Sequence, residues 1–485
     1  MGPKNLIIVT SDELRGDSTG FGGNPDCKTP NLDAFAQKSV VFDHHFAVHG
    51  KCVPSRISIV TGRYSHTDGY RTITQHLPPN HPNLLTTLKA AQYETAVFGI
   101  NHVWHDPDFW GTNKKSSGCV DYHSYTDDYF RQFTNHSYPV QAPASGGVEP
   151  LNLPEGYNYR GRIDAPLTGF SDDARTDQAI HYLRNVRDRS RPFFMQLNIS
   201  HPHPPYGAEE PYFSMYDRKR IRSWPHALPK GAPLPLQVMR AVRTTLEDND
   251  AVFREIQATY YASITKVDHL IGKLFAAVEA EGLFDDTVIL FAADHGDFAG
   301  QYGLVEKWDT AMNDCILHVP CVLFAPGLPQ NKRVDSLTAH TDLAPTLLEL
   351  LRLKANWNVH GESLLPIIAG EKSKAAVFAN GGHEDEMLAR VGTAVDGHGT
   401  GKQRTYQTDP RTMSRTKMVR SENFKLVVRL TGGNELYDLR RDPYETENLW
   451  GREEYQRTVQ ELLLQLTEWS LRTDTDLPYQ STVGA

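Results

Sequence analysis

Lys51-Cys52-Val53-Pro54-Ser55-Arg56, running on through Ile57-Ser58-Ile59-Val60-Thr61-Gly62-Arg63, is the stretch from which the rest of the chain can be read. Proline is favoured near a helix start, where its fixed φ suits the first turn and its missing N–H costs nothing. Pro54 therefore sets a turn, and the run from Ser55 to Thr61 is expected to form the first turns of a helix. Such a start places the Cys52 side chain at a helix N-terminus, where unpaired backbone N–H groups and the helix dipole favour an anion. The plainer reading is a half-buried cysteine ahead of a capped helix. Partners for Cys52 elsewhere in the chain decide between the two.

Composition limits what such a site could serve. The chain has 485 residues and a formal net charge of -9. No face-wide basic excess is available to neutralise phosphates, which argues against a nucleic-acid binder. The five cysteines, at 27, 52, 119, 315 and 321, are odd in number and lack CxxC spacing. Neither a disulfide framework nor a zinc site is expected, and a reducing compartment fits. No apolar run approaches membrane-spanning length, and Met1-Gly2-Pro3-Lys4 leads into Leu6-Ile7-Ile8-Val9 without a signal peptide. The expectation is a cytoplasmic protein with no membrane partner.

Two further stretches place charge at the ends of apolar runs. Leu6 to Val9 has the continuous apolar character of a buried parallel strand, and Thr10-Ser11-Asp12-Glu13 follows it. Thr287 to Phe291 reads as a second such strand and leads to Ala293-Asp294-His295-Gly296-Asp297. In open α/β sheets, ligands bind outside the carboxyl ends of the strands. Adjacent carboxylates there invite a hard cation. For Asp12 and Glu13 taken alone, an N-cap with an acidic first turn is the alternative.

Glu94 to Gly99 and Pro192 to Ile199 are expected strands too, delivering Ile100-Asn101-His102 and Ser200-His201-Pro202-His203-Pro204. Helices are expected over 82–91 and 171–187, and around Ile264, Val267, Ile271, Leu274 and Val278, which stand at helical spacing. Residues 103–170, 204–249 and 380–415 show little periodicity and are expected to be loops over the site. Trp104, His105 and Trp110 are candidates for substrate contact there. The cluster Arg218-Lys219-Arg220-Ile221-Arg222 would suit a polyanion or simply face solvent. Beyond residue 375 come short alternating runs at 417–419, 424–430 and 435–437, then a closing helix over 453–472. The residues by themselves reach an α/β hydrolase with a carboxylate-rich metal site and an anion-facing helix.

The motifs and their order resemble the type I, formylglycine-dependent sulfatases of the alkaline phosphatase superfamily. The resemblance rests on Cys52-Val53-Pro54-Ser55-Arg56 with Thr61-Gly62-Arg63, on Thr29-Pro30-Asn31-Leu32-Asp33, and on Asp294-His295-Gly296. It rests also on Gly303-Leu304-Val305-Glu306-Lys307, Asp342-Leu343-Ala344-Pro345-Thr346 and Leu436-Tyr437-Asp438-Leu439. It implies an α/β fold with a large mixed sheet sandwiched by helices over 1–375 and a smaller C-terminal antiparallel-sheet subdomain over 376–485.

The resemblance implies further that a formylglycine-generating enzyme converts Cys52 to Cα-formylglycine. One hydroxyl of the hydrated aldehyde would attack sulfur, and deprotonation of the other would expel sulfate. Asp12, Glu13, Cys52, Asp294 and His295 would hold one divalent metal, Ca2+ by family, with Mg2+ or Mn2+ compatible with a set containing one histidine. Cys52, Arg56, His102, His203 and Lys307 carry over as catalytic. His201 competes with His203 for the leaving-group contact, and His201, His105 and Asp309 are substrate-binding candidates. Two positions depart from the family pattern: Glu13 is longer by one methylene than the usual Asp, and Ile100 stands where the family has Lys. The implied function is a sulfatase acting on a sulfated carbohydrate, a glycosaminoglycan or other sulfated glycan. The alternative, which Ile100 favours, is a phosphodiester or phosphonate monoester hydrolase of the same superfamily; a binding protein that lost the chemistry is a third reading.

Overall fold

The structure is a computed structural model and describes residues 4–73, 75–78, 80–104, 120–124, 151–163, 172–244, 250–384, 388 and 400–473. Its organisation starts from β1 (Asn5–Asp12), every residue of which is buried. Successive side chains of a strand point to opposite faces. Accordingly, Leu6 and Ile8 join a core with Val53, Ile57 and Leu343, whereas Ile7 and Val9 join another with Ile264, Val267 and Ile271. A strand apolar on both faces belongs in the middle of a sheet covered on both sides by helices.

In chain order the other strands are β2 (Val40–Phe46), β3 (Glu94–Gly99), β4 (Tyr122–Ser124), β5 (Tyr159–Arg162), β6 (Phe193–Pro202) and β7 (Tyr206–Ala208). They continue with β8 (Thr287–Ala293), β9 (Cys321–Phe324), β10 (Lys332–Ala339), β11 (Ala376–Gly381), β12 (Thr416–Ser421), β13 (Phe424–Arg429) and β14 (Glu435–Asp438). The main sheet has the order β10-β2-β9-β8-β1-β6-β3-β4. Strands β8, β1, β6 and β3 are mutually parallel, and β9 runs against both its neighbours, so the sheet is mixed. The carboxyl ends of the four parallel strands therefore lie along one edge. Ser11 is opposite Ala293 and Asp12 opposite Pro202, which aligns the segments carrying Asp12, His201 and Asp294.

The C-terminal sheet is antiparallel, in the order β11-β12-β13-β14. The helix Gln456–Thr473 carries Trp469, whose ring stacks on Phe378 at 5.2 Å and meets Tyr64 edge-on at 4.9 Å. Tyr64 lies just past the Cys52 helix, so the last helix of the chain braces the end of that element. No helix among the described residues is long and apolar enough to cross a membrane. Cys27, Cys52, Cys315 and Cys321 are buried free thiols.

Several expectations need correction. The Cys52 helix spans Cys52–Thr61, beginning at Cys52 itself and not at Ser55. Pro54 fits because it stands in the first turn, where no intrahelical partner is lost. Segment 204–249 contains the helix Leu234–Arg243, which buries Pro235, Leu236, Met239 and Arg243 on one stripe. Segment 380–415 contains the helix Thr400–Thr408, packed against it. Each is held by the other, a tertiary effect that weak local periodicity does not reveal. The expected helix 171–187 is α-helical over Asp172–His181 and continues as a π turn over Tyr182–Val186. His105 and Trp110 lie outside the described residues.

Within the basic cluster Lys219, Arg220 and Arg222 are exposed, and Arg218 is engaged in the fold. Arg218 bonds Glu255 at 2.8 Å and stacks over Phe213, and Arg222 faces Asp26 at 3.6 Å.

One buried charge ties the C-terminal sheet to the segment that precedes β9. Lys425 of β13 is fully buried, bonds Glu445 at 2.7 Å and the Met312 carbonyl at 2.9 Å, and also contacts Asp314. Removing one partner of a buried ion pair leaves the other charge uncompensated. Lys425→Met is therefore expected to destabilise the protein by about 3–5 kcal/mol, read as a lowered urea midpoint; a change below about 1 kcal/mol would show that this contact is not structural.

Candidate active site

Cys52 opens its helix as the first helical residue, 3% exposed, and the preceding Lys51 makes no side-chain cap. The cysteine sulfur lies 3.2 Å from His295 Nε2 and 3.5 Å from Asp12 Oδ1. Asp12, Cys52, Asp294 and His295 each offer a ligand atom within 4.8 Å of the others, and all four residues are buried. The structure thus brings together residues that are 40 and more than 240 positions apart along the chain. This geometry separates the functional reading of Cys52 from the plain one, since a merely packed cysteine needs no such company.

Arg56 organises the carboxylates. Its Nε donates to Asp294 Oδ2 at 2.8 Å and its Nη2 to Asp12 Oδ2 at 3.3 Å. Its Nη1 donates to Thr10 Oγ1 at 2.7 Å and to Asn198 Oδ1 at 3.1 Å. Every nitrogen of the guanidinium is engaged by these four side chains. Burial would lower the Arg56 pKa, but Asp294 and Asp12 raise it overall.

The two carboxyls respond differently. Burial raises Asp12, yet Arg56, His203, Lys307 and His295 outweigh it and hold Asp12 well below the usual carboxylate range. Asp294 is raised by burial and by the Asp12 charge, which Arg56 only partly offsets. Burial together with Asp12 and Asp294 pushes the Cys52 thiol far up. As an unmodified thiol it is a poor nucleophile.

These residues fit a hard divalent cation. One arginine cannot fully compensate two buried carboxylates, and a second positive charge would let Asp294 ionise beside Asp12. His295 Nδ1 donates to the Gly296 carbonyl at 3.0 Å, so the Nε2 lone pair faces the cluster, the tautomer a metal ligand requires. Asp294 is itself held in place: its carbonyl accepts from Ser55 Oγ at 2.5 Å and from His340 Nε2 at 3.0 Å.

Glu13 sits at the edge of this group, in a second cluster with Asp12 and His203. Its φ of 65° is left-handed, and its backbone is pinned by Asp294 Oδ1 at 3.2 Å and by the Tyr260 hydroxyl at 2.6 Å. Its Oε1 contacts Lys307 and lies 3.0 Å from His203 Nε2, whereas its buried Oε2 has no hydrogen-bond partner among the described residues.

On the opposite side, His203 Nδ1 donates to the Pro204 carbonyl at 2.5 Å, which aims Nε2 at Lys307 Nζ, 2.7 Å away. Burial lowers the His203 pKa, and the Asp12 charge works against that shift. His201 turns elsewhere. Its Nδ1 donates to Asp172 Oδ2 at 2.6 Å, and Asp172 also accepts the Ser200 and His201 amides at 2.9 Å. His102 Nδ1 lies 3.8 Å from Asp12 Oδ2, with its pKa pushed far down by burial. Asp309 is beside Lys51 at 3.4 Å.

Other residues of the site gave no signal in the sequence: Thr10 and Asn198 around Arg56, Asp172 beneath His201, and Lys402 and Arg243, which flank Glu306. Only Asp172 had a local clue, in the paired acids at the start of its helix.

The sulfatase family model matches residues 4–353. The chain is 27% identical to the multifunctional alkaline phosphatase superfamily protein PehA of Trinickia caryophylli, over 96% of this chain and 95% of that one. It is 26% identical to an ulvan-active sulfatase of Formosa agariphila, over 94% of this chain and 79% of that one. Among solved structures, the phosphonate monoester hydrolase of Silicibacter pomeroyi superposes with a TM-score of 0.75 at 24% identity, covering 97% of this chain and 96% of that one. At that identity the likeness concerns the fold.

Glu306, next to Lys307, generates a pH prediction. Burial would raise its carboxyl, but Lys402 and Arg243 hold it down to about 2, from an ordinary value of 4.5. A depressed carboxyl stabilises the fold above its unfolded pKa and loses that contribution as pH falls towards its folded one. Relative to Glu306→Gln, the protein should lose on the order of 2 kcal/mol between pH 6 and pH 3. Urea midpoints of both proteins at the two values measure it, and an unchanged difference would contradict the assigned pairing.

Proposed function

The chain belongs to the sulfatase family, enzymes that hydrolyse sulfuric esters, and on that premise we propose that it removes sulfate from a sulfated carbohydrate, with Cys52 as the precursor of the nucleophile. The observation that carries this reading is the placing of Cys52 at a helix start, 3.2 Å from His295 and 3.5 Å from Asp12, inside a buried carboxylate cluster. A formylglycine-generating enzyme would act on the Cys52 segment before the chain folds around it.

Converted to Cα-formylglycine, Cys52 would supply a hydrated aldehyde as the attacking group. A divalent cation held by Asp12, Cys52, Asp294 and His295, Ca2+ by family with Mg2+ or Mn2+ compatible, would polarise the ester oxygens. Glu13, with one buried oxygen that lacks a partner among the described residues, stands beside that shell with Asp12 and His203 and contacts Lys307. The remaining work falls to the chain's own side chains. Arg56 keeps Asp12 and Asp294 apart and ionisable. The amides at the start of the Cys52 helix face the entering anion. Lys307 Nζ and His203 Nε2, 2.7 Å apart, share a proton that can pass to the leaving oxygen, while Lys307 offsets the charge that oxygen develops. Asp172 and His201 shape the turn that delivers His203.

A carbohydrate is favoured over a small aryl ester by polar, histidine-bearing surroundings, among them His49, His102, His203 and His383. A sulfated polysaccharide is what the name of the Formosa agariphila relative indicates for that enzyme. One observation supports a second reading. Ile100, 7% exposed, stands where a lysine would hold sulfate, and phosphodiester or phosphonate monoester hydrolysis would not need that contact.

Protein co-expressed with the formylglycine-generating enzyme is expected to release sulfate from sulfated glycan fragments and from p-nitrophenyl sulfate, and Cys52→Ala is expected to abolish both. Faster turnover of bis-p-nitrophenyl phosphate than of any sulfate ester would overturn this assignment in favour of the second reading. Proton donation to a leaving group is typically worth about 10²–10⁴-fold. His203→Ala should therefore cost kcat/KM that much on a sugar sulfate, whose alkoxide leaves poorly, and far less on p-nitrophenyl sulfate. Equal losses on the two would remove His203 from the proton-transfer role.

A further inference from the structure

Beside Cys52, on the side facing the C-terminal sheet, three segments meet. They are the loop that precedes the Cys52 helix, the end of β11, and the turn that follows Lys307. Asn380 donates its backbone N–H to the Val48 carbonyl at 3.0 Å, and a Cβ on Gly381 would stand 2.0 Å from the Asp309 carbonyl oxygen. Only a glycine permits that approach. The contact brings His383 into electrostatic range of Asp309, and His49 and Lys51 face the same carboxylate.

Three buried polar atoms at this junction have no hydrogen-bond partner among the described residues: His49 Nε2, Asn380 Oδ1 and His383 Nδ1. His49 and Asn380 are fully buried and His383 is 5% exposed. Native proteins rarely leave such groups unpaired, because each forfeits its hydration for nothing. The protonation of His49 follows from geometry. The Lys51 amide donates to its Nδ1 at 3.0 Å, so a neutral ring carries its hydrogen on Nε2, a buried donor in want of an acceptor. Asp309, 3% exposed and paired with Lys51, is an acceptor, and Asn380 Oδ1 is another.

We propose that this junction is a subsite for the free hydroxyl groups of the sugar ring that bears the scissile sulfate, read by His49, Asp309, Asn380 and His383. The proposal rests on the sulfatase assignment above. Its position follows from the chain, since Lys51 directly precedes Cys52 and Asp309 follows Lys307 by two residues. His49 and Asp309 of this junction are chain neighbours of Cys52 and of Lys307. The donor and acceptor set selects the ligand. A hydroxyl both donates and accepts, matching a donor at His49 and acceptors at Asp309 and Asn380. A second sulfate or a carboxylate offers only acceptors and would meet the Asp309 charge. The cations farther out are already tied, Arg71 bonding Glu384 and Arg415 facing it at 3.6 Å. An aryl carrier would leave His49 Nε2, Asn380 Oδ1 and His383 Nδ1 as they are, and sites built to bind a hydroxyl discriminate strongly against its absence.

The test compares kcat/KM for a panel of monosulfated hexoses with kcat/KM for p-nitrophenyl sulfate. It uses the modified enzyme and two variants, Asp309→Asn, which preserves volume, and His383→Gln. Hydrogen bonds to charged or buried groups are worth about 10- to 100-fold in such ratios. The hexose-to-aryl ratio should fall by that factor in at least one folded variant, with a higher KM for the hexose sulfate. An unchanged ratio in both variants overturns the subsite and leaves the sulfatase assignment intact. So does a wild-type enzyme that cleaves p-nitrophenyl sulfate but no hexose sulfate. A wild-type enzyme that cleaves neither ester, with Cys52 fully converted, overturns both.

Discussion

Two buried carboxylates held by one guanidinium form the constraint on which this structure depends. Asp12 and Asp294 leave the ends of adjacent parallel strands, and Arg56 reaches both from the Cys52 helix while its remaining donors are used by Thr10 and Asn198. Charges this deep are tolerated only when paired and hydrogen-bonded. The arrangement fixes the helix against the sheet, and with it the position of the Cys52 side chain. It also leaves a deficit of positive charge, visible in the raised Asp294 carboxyl, that a divalent cation would make good.

From that constraint the site spreads along one edge of the sheet. Strands β8, β1, β6 and β3 each deliver a polar residue at the same end, and their parallel pairing makes the convergence unavoidable. Strain and unpaired atoms gather there too. The left-handed Glu13, with an oxygen that has no partner among the described residues, and His49, with a nitrogen in the same state, stand close to Asp12 and Cys52 in the chain. Such features cost stability and persist where binding recovers the cost.

Much of this was legible in the sequence, for physical reasons. Strands β1 and β8 read as continuous apolar runs because both their faces are buried, and acidic residues at their ends stand out against that background. Helical spacing exposed the long helix Asp250–Ala280. Strands β2 and β10 were not legible. The first mixes Asp43, His44 and His45 into its run, and the second exposes Lys332, Arg333 and Asp335 at the sheet edge. The helices Leu234–Arg243 and Thr400–Thr408 depend on packing against each other, which local pattern does not encode. Partners such as Asn198 for Arg56, or Lys402 for Glu306, are joined only by the fold. The motif positions Asp12, Cys52, Asp294 and His295 did come together, whereas His201 turned to Asp172, and Arg56 spends its donors on Asp12, Asp294, Thr10 and Asn198.

The central claim is that the Asp12–Arg56–Asp294 arrangement is completed by one divalent cation. Calorimetric titration of metal-stripped protein with Ca2+, run beside Asp294→Asn, addresses it most directly. The account predicts saturable binding of a single equivalent to the wild-type chain and its loss or marked weakening in the variant. Absence of saturable binding to the wild-type chain by Ca2+, and by Mg2+ and Mn2+ in parallel titrations, would contradict it.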